Sequence, residues 1–436
     1  MAWRGWYPIG ERFDDEGYSG ATALANAPQG FAASPNVQVA HAVPDEARHC
    51  TVCGGSDFVP LGAGEISNEL EYLPGRLIQR RHVRQKLACR CGACVVTAPA
   101  PPRVAPGVVY GPALHAHVVA ARCADSIPLS RLAERFKRDG LPIARSTVIE
   151  LFHRSAEALK PLHAAVMAAV RRSMYVRADE TPLPVLAPDK TRRAYMWVFG
   201  TDKLTAFLYR PTRSGQAAVD ALGQTTGTLQ VDGDTGYNAV TTPAGRTRVG
   251  CWAHARRKFY EARTSAPEEI DAVLRLIHGL YLIEIDARDQ GIAFTEEHAR
   301  LRRERAPALL EQLHAAVLRL KNEFPPKSDI ATAASYTLKQ WTELSRFVGD
   351  VRLTLDNNAA ERDLRRIALG RKNSLFVGHD EGGENLAVRQ TLVTSCLQNG
   401  INPEQYLADV LIRVQTWPNR QIAELLPDRW KPPDGG

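Results

Sequence analysis

SMYVRADE, residues 173–180, is the first of three stretches that decide the fold of this chain; the others are AYMWVFGTD (194–202) and TAFLYRPT (205–212). Their β-branched and aromatic residues, separated by the polar turns PDKTRR and GTDK, predict three successive strands. A short helix, SGQAAVDALG, and a fourth strand, TLQVDGD at 228–234, follow. Because a helix separates the third strand from the fourth, we predict that the fourth runs parallel to the first.

A fifth strand begins in TRVGCWAHARRKFYEA, which then becomes helical. This order of elements is that of a ribonuclease H-like fold, so we predict an α/β core of that kind with a mixed five-stranded sheet. Three helical stretches interrupt the core over residues 265–350, where we predict a helical insertion. A short strand, NSLFVG, and C-terminal helices are expected after it.

The chain is predicted to contain several segments in addition to this core. In order they are an irregular N-terminal segment (1–48), a cysteine-rich zinc module (49–95), a Pro-rich linker (96–109), a helical DNA-binding segment (110–172), the first part of the core (173–264), the helical insertion (265–350), the rest of the core with a glutamate helix and a strand (351–382), and C-terminal helices with a tail (383–436).

The composition is that of a soluble globular protein, with 44% hydrophobic and 24% charged residues. The net charge of +7 fits a nucleic-acid partner without requiring one. No apolar run approaches the roughly 18 residues of a membrane helix, and MAWRGWYPIGERFDDEGYSG lacks the apolar core of a signal peptide. We therefore expect a cytoplasmic protein without a membrane partner, whose eight cysteines indicate metal binding or chance rather than disulfides.

The module at 49–95 contains five of the eight cysteines: Cys50, Cys53, Cys89, Cys91 and Cys94. The first two form a Cys-x₂-Cys pair followed by glycine. We predict Cys91 with Cys94 as the second pair, and a pair that uses Cys89 is the alternative. Four cysteines in two close pairs suit tetrahedral Zn²⁺, so we predict a structural zinc site. His49 and His82 are further candidate ligands, and cysteines without metal are the competing interpretation.

A helix-turn-helix pattern follows the linker. LSRLAERFKRDG places Leu129, Leu132 and Phe136 on one face and ends at Gly140. Ser146 is predicted to cap a second helix, and a longer helix, AEALKPLHAAVMAAVRR, comes after it. The second helix offers three candidate DNA contacts; the alternative is a pair of packed helices in a linker domain. These contacts are Arg145, Thr147 and Arg154.

Three acids fall where two-metal phosphodiester chemistry needs carboxylates from separate segments. Asp179 is predicted to end the first strand and Asp232 to end the fourth. Glu361 lies in LDNNAAERDLRR, residues 355–366, where the run of Asp and Asn predicts a helix cap that fixes the orientation of the glutamate. Asp234 competes with Asp232 as a ligand. Taken singly, each acid is an ordinary cap or turn residue; their joint placement favours a metal site.

These motifs resemble a known family. ADETP, LQVDGDTGYN, CWAHARRKF, LDNNAAERDLR and ALGRKNSLFVG are similar to blocks of the transposases of the bacterial insertion-sequence-66 family, over roughly residues 49–415. The resemblance implies a DDE-type transposase in which Asp179, Asp232 and Glu361 are the catalytic ligands of two Mg²⁺ (or Mn²⁺) ions. One departure is Asp234, where the family usually has an aromatic residue.

The resemblance also implies partners. The protein would bind the element ends and target DNA, hydrolyse a phosphodiester bond and transfer the freed strand. A homo-oligomer is expected because two ends must be held together, and two small accessory proteins from the same element are implied. The alternatives are a catalytically inactive, zinc-containing DNA-binding regulator and a ribonuclease H-like nuclease unrelated to mobile DNA.

Basic residues near these motifs are further candidate DNA contacts. Arg257 follows the fifth strand, near His254, which is either a core histidine or a neighbour of the scissile phosphate. Arg365, Arg371 and Lys372 surround the end of the glutamate helix and are suited to neutralise phosphates. The competing interpretation for each is a solvated charged surface.

Overall fold

The computed structural model describes residues 52–56, 77–88, 94–105, 107–188, 190–374 and 377–432, together with Val43, Asp45, Gly75 and Arg90. The chain divides into two units, residues 1–79 and 80–436, and every helix and strand given below belongs to the second. The predicted irregular segment at 1–48 lies, apart from Val43 and Asp45, outside the described residues.

A mixed sheet at the centre of the second unit is built from five strands: β3 at Tyr175–Leu186, β4 at Thr191–Gly200, β5 at Thr205–Arg210, β6 at Thr228–Gln230 and β7 at Thr247–Val249. The order across the sheet is β5-β4-β3-β6-β7. The first three are antiparallel, whereas β6 runs parallel to β3 and β7 parallel to β6. The predicted mixed sheet and its parallel fourth strand are confirmed. A separate hairpin upstream pairs β1 (Lys86–Ala88) with β2 (Val95–Thr97).

The first strand of the sheet is longer than predicted. It was expected to end at Asp179, but β3 continues to Leu186 and pairs with β4 along its whole remaining length. Pro182 and Pro184 are tolerated there because β6 pairs with β3 only over Tyr175–Arg177, so the proline nitrogens face no strand ladder. Asp179 therefore lies in the middle of a strand.

The helices of the described chain have these bounds: α1 Pro112–Cys123, α2 Leu129–Arg138, α3 Arg145–Arg172, α4 Gln216–Leu222, α5 Trp252–Ala262, α6 Pro267–Asp289, α7 Glu296–Glu323, α8 Asp329–Lys339, α9 Trp341–Ser345, α10 Asn358–Asn373, α11 Asp380–Gln398 and α12 Pro403–Arg413. Helix α10 packs on β3 and β4, whereas α3 and α11 pack on β5. No helix among the described residues is both long and apolar enough to cross a bilayer.

The helix-turn-helix region is partly as predicted. Leu132 and Phe136 of α2 are buried, and Gly140 follows the helix at φ +85°. The second helix differs, because it starts at Arg145 with Ala144 at the N-cap, so Ser146 is not a cap. It also runs on for 28 residues through Pro161, which merges two predicted helices into one. Buried apolar side chains on both sides of the proline outweigh the single lost hydrogen bond.

Helices α6–α9 form the predicted helical stretch between the fifth strand and the glutamate helix. Apolar residues of these helices share one core with Val249 and Trp252 at the edge of the sheet. Within this core Arg302 is fully buried; it pairs with Glu284 at 2.6 Å and donates to the carbonyl of Phe347 at 2.9 Å. The strand expected at NSLFVG is represented in the described residues by a single bridge between Val377 and Val185.

Gly227, just before β6, should be one of the least replaceable residues of the sheet. Its φ is +108°, and an added Cβ would lie 2.5 Å from the carbonyl oxygen of Met174. Gly227→Ala should lower the free energy of unfolding in urea by roughly 3 kcal/mol, through strain and backbone overlap together. Gly140→Ala, at φ +85° with open space around it, should cost only about 1 kcal/mol. Equal losses for the two variants would contradict this reading.

Candidate active site

Two aspartates come two residues after the stretch in which β3 and β6 run parallel. Arg177 pairs with Gln230 in this register. Continuing the register by two residues brings Asp232 level with Asp179. Asp232 is in the loop after β6, and Arg248 fixes that loop by donating to the carbonyl oxygen of Asp232 at 2.7 Å. The backbone of the second aspartate is thus held beside the strand that carries the first.

The start of α10, the helix that carries Glu361, is tied to β3. Asn357, which is 1% exposed, donates from Nδ2 to the carbonyl oxygen of Ala178 at 2.7 Å. Ala178 directly precedes Asp179 in the strand. Glu361 lies about one helical turn after Asn357. This bond therefore brings the turn that carries the glutamate against the strand segment that carries the first aspartate.

The start of α10 is capped from within the predicted run of Asp and Asn, by Asp356. Asn357 occupies the N-cap position, but its side chain makes no capping hydrogen bond. Asp356 does this instead, since its Oδ1 accepts the backbone N–H of Asn358 at 3.1 Å and its Oδ2 accepts the hydroxyl of Tyr281 at 3.0 Å. The division follows from chemistry: the buried carbonyl of Ala178 requires a donor, which an asparagine amide has and a carboxylate lacks.

The three carboxylates concentrate negative charge in a half-buried place. Burial raises the pKa of Asp179 well above its ordinary value, and the charges of Glu180, Asp232 and Glu361 raise this pKa further. The backbone N–H of Glu180 donates to Asp179 at 2.9 Å and offsets part of the effect. Burial is the largest cause of the shift, and the three neighbouring acids act on Asp179 in the same direction.

A fourth carboxylate, Glu180, was missed by the sequence analysis; its only signal is its position directly after Asp179. Its side chain is 4% exposed and accepts hydrogen bonds from the hydroxyl of Tyr237 at 2.6 Å and from Arg213 at 2.8 Å. Arg213 also pairs with Oδ2 of Asp234 at 2.9 Å. Glu180 and Arg213 therefore brace the loop that follows β6 against β3.

The two aspartates of that loop have different surroundings. Oδ1 of Asp234 accepts the backbone N–H of Gly236 at 2.7 Å and caps the 3-10 turn Thr235–Tyr237, while its Oδ2 pairs with Arg213. Both carboxylate oxygens of Asp234 thus have protein partners. Oδ1 of Asp232 accepts the backbone N–H of Asp234 at 2.9 Å, which orients the carboxylate of Asp232 within the loop.

His254 and Arg257, in the first turns of α5, face the glutamate. Nε2 of His254 lies 3.7 Å from Oε1 of Glu361, and Nη2 of Arg257 lies 3.5 Å from its Oε2. Burial lowers the pKa of His254, and the charges of Asp232 and Glu361 oppose this. Nδ1 of His254 and Oε1 of Glu361 are both buried without a hydrogen-bond partner. Such unsatisfied atoms mark a place where a ligand would be stabilising.

The donor set fits a divalent cation. Carboxylate oxygens are the ligands that Mg²⁺ prefers. A cation would stabilise the ionised form of Asp179, whose pKa is raised by burial and by neighbouring charges, and would satisfy Oε1 of Glu361. As they stand, no three His, Cys, Asp or Glu side chains of the described residues are gathered at metal-binding spacing. Glu361 contacts Arg257 and His254 rather than converging with the aspartates.

The predicted DNA contacts occupy two regions besides Arg257. Arg145 is exposed at the start of α3, Thr147 is half-buried, and Arg154 is exposed but pairs with Glu150 at 2.7 Å. On α10, the side chains of Arg365 and Lys372 are exposed. Arg371 differs from the other two, because it is half-buried and its guanidinium donates to the carbonyl of Pro182.

The predicted zinc ligands are only partly described. Cys53 and Cys94 are exposed, whereas Cys50, Cys89 and Cys91, with the candidate His49, lie outside the described residues. His82 is exposed. The three cysteines outside the cysteine-rich module are buried: Cys123, Cys251 and Cys396.

Comparison with protein families gives three matches along the chain. Residues 107–385 match the Transposase IS66 family, residues 391–427 match the IS66 C-terminal element, and residues 47–92 match the zinc-finger binding domain of transposase IS66. Together these matches run from the cysteine-rich module to the last helices. The class that they define is a transposase with a zinc-finger domain ahead of its DDE domain.

The chain belongs to the IS66 transposase family. It is 34% identical to the uncharacterized protein y4jD of Sinorhizobium fredii, over 89% of this chain and 79% of that protein. It is 32% identical to the uncharacterized protein y4hP of the same organism, over 88% of this chain and 73% of that protein. The resemblance noted from the sequence motifs is confirmed.

Asn357→Asp should disturb the site without changing the shape of the side chain. A carboxylate oxygen would then face the carbonyl oxygen of Ala178 in a buried place, and we expect the free energy of unfolding to fall by roughly 2 kcal/mol or more. Urea unfolding measures this. The matched control is Asn322→Asp on the exposed side of α7, which should change stability by less than about 0.5 kcal/mol. A similar small change at both positions would show that the buried bond is unimportant.

Proposed function

We propose that this chain is a DDE-type DNA transposase, which binds the ends of its insertion sequence and catalyses phosphodiester hydrolysis and strand transfer. One observation carries the proposal: Asp179, Asp232 and Glu361 come from three separate segments, which the β3–β6 pairing and the hydrogen bond from Asn357 to Ala178 bring together. The charges of Asp232 and Glu361 add to the burial and the Glu180 charge that raise the pKa of Asp179. Repulsive clusters of this kind destabilise a fold and are typical of functional sites. Membership of the IS66 family supports the same conclusion.

The core is proposed to be ribonuclease H-like. The sheet supports this assignment: β3, β4 and β5 form an antiparallel meander, and β6 then pairs in parallel with β3. The candidate ligands Asp179 and Asp232 lie in β3 and just after β6, which also supports it. The helices between the second aspartate and the glutamate form a continuous core of their own with the sheet edge. They therefore leave the pairing of β3 with β6 undisturbed.

Asp179, Asp232 and Glu361 are the residues that would hold two Mg²⁺ or Mn²⁺ ions, which supply activation of the attacking oxygen and stabilisation of the leaving one. Asp232 is favoured over Asp234, because both oxygens of Asp234 already bind protein groups.

Neighbouring side chains orient these ligands. Asn357 sets the position of the glutamate helix, and Arg248 sets the backbone of Asp232. Glu180 braces the same loop through Tyr237. Arg257 is 45% exposed beside Glu361, where a guanidinium can neutralise a phosphate of the bound DNA.

DNA binding is proposed to involve the α2–α3 helix pair and the outer part of α10. Exposed basic side chains at these places are suited to phosphates and fix the register of the duplex without reading its sequence. A homo-oligomer on DNA and accessory proteins of the same element complete the proposal, since two ends are joined in one reaction. The side chains concerned are Arg145, Thr147, Arg154, Arg365, Arg371 and Lys372.

Substitution of the acids tests the catalytic proposal. Glu361→Gln, Asp179→Asn and Asp232→Asn should each reduce transposition of a marked mini-element in cells by at least roughly a hundredfold. Each substitution removes the charge of a metal ligand but keeps the shape of the side chain. The purified variants should bind end DNA within about twofold of the wild type, because phosphate contacts lie elsewhere. Normal transposition by Glu361→Gln would overturn the proposal.

Asp234→Asn is the matched comparison for Asp232→Asn. It changes the same loop and the same chemical group, but at a carboxylate that caps a turn and pairs with Arg213. We expect it to reduce transposition by less than about tenfold, a loss of the size seen when supporting interactions are weakened. If Asp234→Asn were inactive and Asp232→Asn active, the ligand role would belong to Asp234.

The cysteine-rich module is proposed to bind a structural zinc ion through Cys50, Cys53 and a second pair, in agreement with the zinc-finger match at 47–92. Elemental analysis of the purified chain should find zinc, and Cys53→Ser should lose it. Cys94→Ser and Cys89→Ser, measured side by side, identify the second pair. Cys123→Ser, at a buried thiol, is the control and should keep the metal. A wild-type protein free of zinc would contradict the assignment.

A further inference from the structure

A narrow cleft lies away from the acidic residues, between β3, α1, α10 and α11. Among the described residues that line it, none is acidic and three are arginines. We call it the arginine cleft. Its lining includes Arg122, Leu183, Pro184, Arg366, Arg371 and Gln390.

The arginines of this cleft are poorly compensated. Nη1 of Arg122 is buried without a hydrogen-bond partner, and the guanidinium lies 3.6 Å from where a Cβ on Gly370 would stand. Burial lowers the pKa of Arg122 and of Arg371, and no carboxylate is among the groups that raise either one. The charge of Arg366 favours the ionised form of Asp363. That carboxylate also accepts a hydrogen bond from the hydroxyl of Thr205 at 3.1 Å.

A further arginine stands behind the cleft. Arg389 is fully buried, its three guanidinium nitrogens have no hydrogen-bond partner, and its charge lies 3.5 Å from the centre of the Phe152 ring. Its pKa is lowered to about 9, with burial as the largest cause and the charge of Arg122 as a smaller one. Buried cations without acids are costly unless an anion binds nearby. This region thus has uncompensated positive charge, whereas the candidate active site has uncompensated negative charge.

We propose that the arginine cleft binds a backbone phosphate of the DNA substrate. The inference rests on the proposed function, which supplies the polyanion, but the residues are not part of the catalytic site. Arginine forks match phosphate oxygens bidentately, and their charge persists after burial better than that of lysine. A phosphate here would provide the acceptors that the buried guanidinium of Arg122 lacks.

The distance between the arginine cleft and the candidate metal ligands can be measured along β3 and along α10. Pro184 is five residues beyond Asp179 in β3, or about 17 Å at strand rise. Arg371 is ten residues beyond Glu361 in α10, or about 15 Å at helix rise. Successive phosphates of one strand advance about 3.4 Å along the duplex axis. Because the phosphates also turn about that axis, which adds to the distance between them, the phosphate in the cleft should be about three to five nucleotides from the scissile bond.

The test measures DNA binding by the full-length protein. Binding is monitored as fluorescence anisotropy, without added Mg²⁺. The probe is a labelled duplex that carries the element end and its flanking sequence, titrated with NaCl. Arg122→Gln and Arg366→Gln should each bind roughly tenfold more weakly, and the salt dependence should fall by about one phosphate contact. Arg122→Lys and Arg366→Lys should recover part of the affinity. Arg319→Gln, an equal loss of charge at an exposed site on α7, should change affinity by less than about twofold.

Single methylphosphonate substitutions in the probe locate the contact. A neutral linkage at one position about three to five nucleotides from the scissile bond should weaken binding by the wild type and have little further effect on Arg366→Gln. If Arg122→Gln and Arg366→Gln bind as Arg319→Gln does while the wild type binds tightly, the cleft does not bind a phosphate. The transposase proposal would then still stand. A wild type that does not bind the duplex would overturn both. Should Arg122→Gln fail to fold, the half-buried Arg366 decides the question.

Discussion

The buried hydrogen bond from Asn357 to the carbonyl of Ala178 is the contact on which the candidate site depends. It joins segments 179 residues apart in the chain. On one side of it the next strand residue is Asp179, and on the other side Glu361 follows after about one turn. A bond of this kind contributes modestly to net stability but strongly disfavours any other register, since a misplaced α10 would leave two buried polar groups unsatisfied.

The sheet supports an arrangement that is electrostatically unfavourable by itself. Asp179 and Glu180 both have raised pKa values, with burial as the largest cause. Arg213 and Tyr237 compensate Glu180, but Asp179 has only a backbone donor in addition to its acidic neighbours. The fold thus tolerates repulsion at one place, as proteins commonly do where they bind a ligand. The excess positive charge at Arg122 and Arg389 is a second such place.

Local patterns predicted the strands and most of the helices, because apolar periodicity and turn residues act over a few positions. The parallel direction of β6 could also be read from the sequence. The ligand role of the three acids stays a prediction. The extent of β3 could not be read from the sequence, since Pro182 and Pro184 look like chain breakers until the absence of a neighbouring strand there is known. The role of Asn357 could not be predicted either, because its hydrogen-bond partner Ala178 is distant in the sequence. In its local sequence Asn357 resembles a helix cap.

The helices α6–α9 have a consequence for how the protein reaches its active form. Gln230 and Thr354, on either side of them, are hydrogen-bonded although they are 124 residues apart in the chain. The helices bring these ends together by folding on their own core, which offsets much of the entropy of closing so long a loop. A growing chain on the ribosome has both aspartates long before it has the glutamate. If the three acids act together as proposed, the nascent protein would lack its third metal ligand until synthesis and folding are nearly finished.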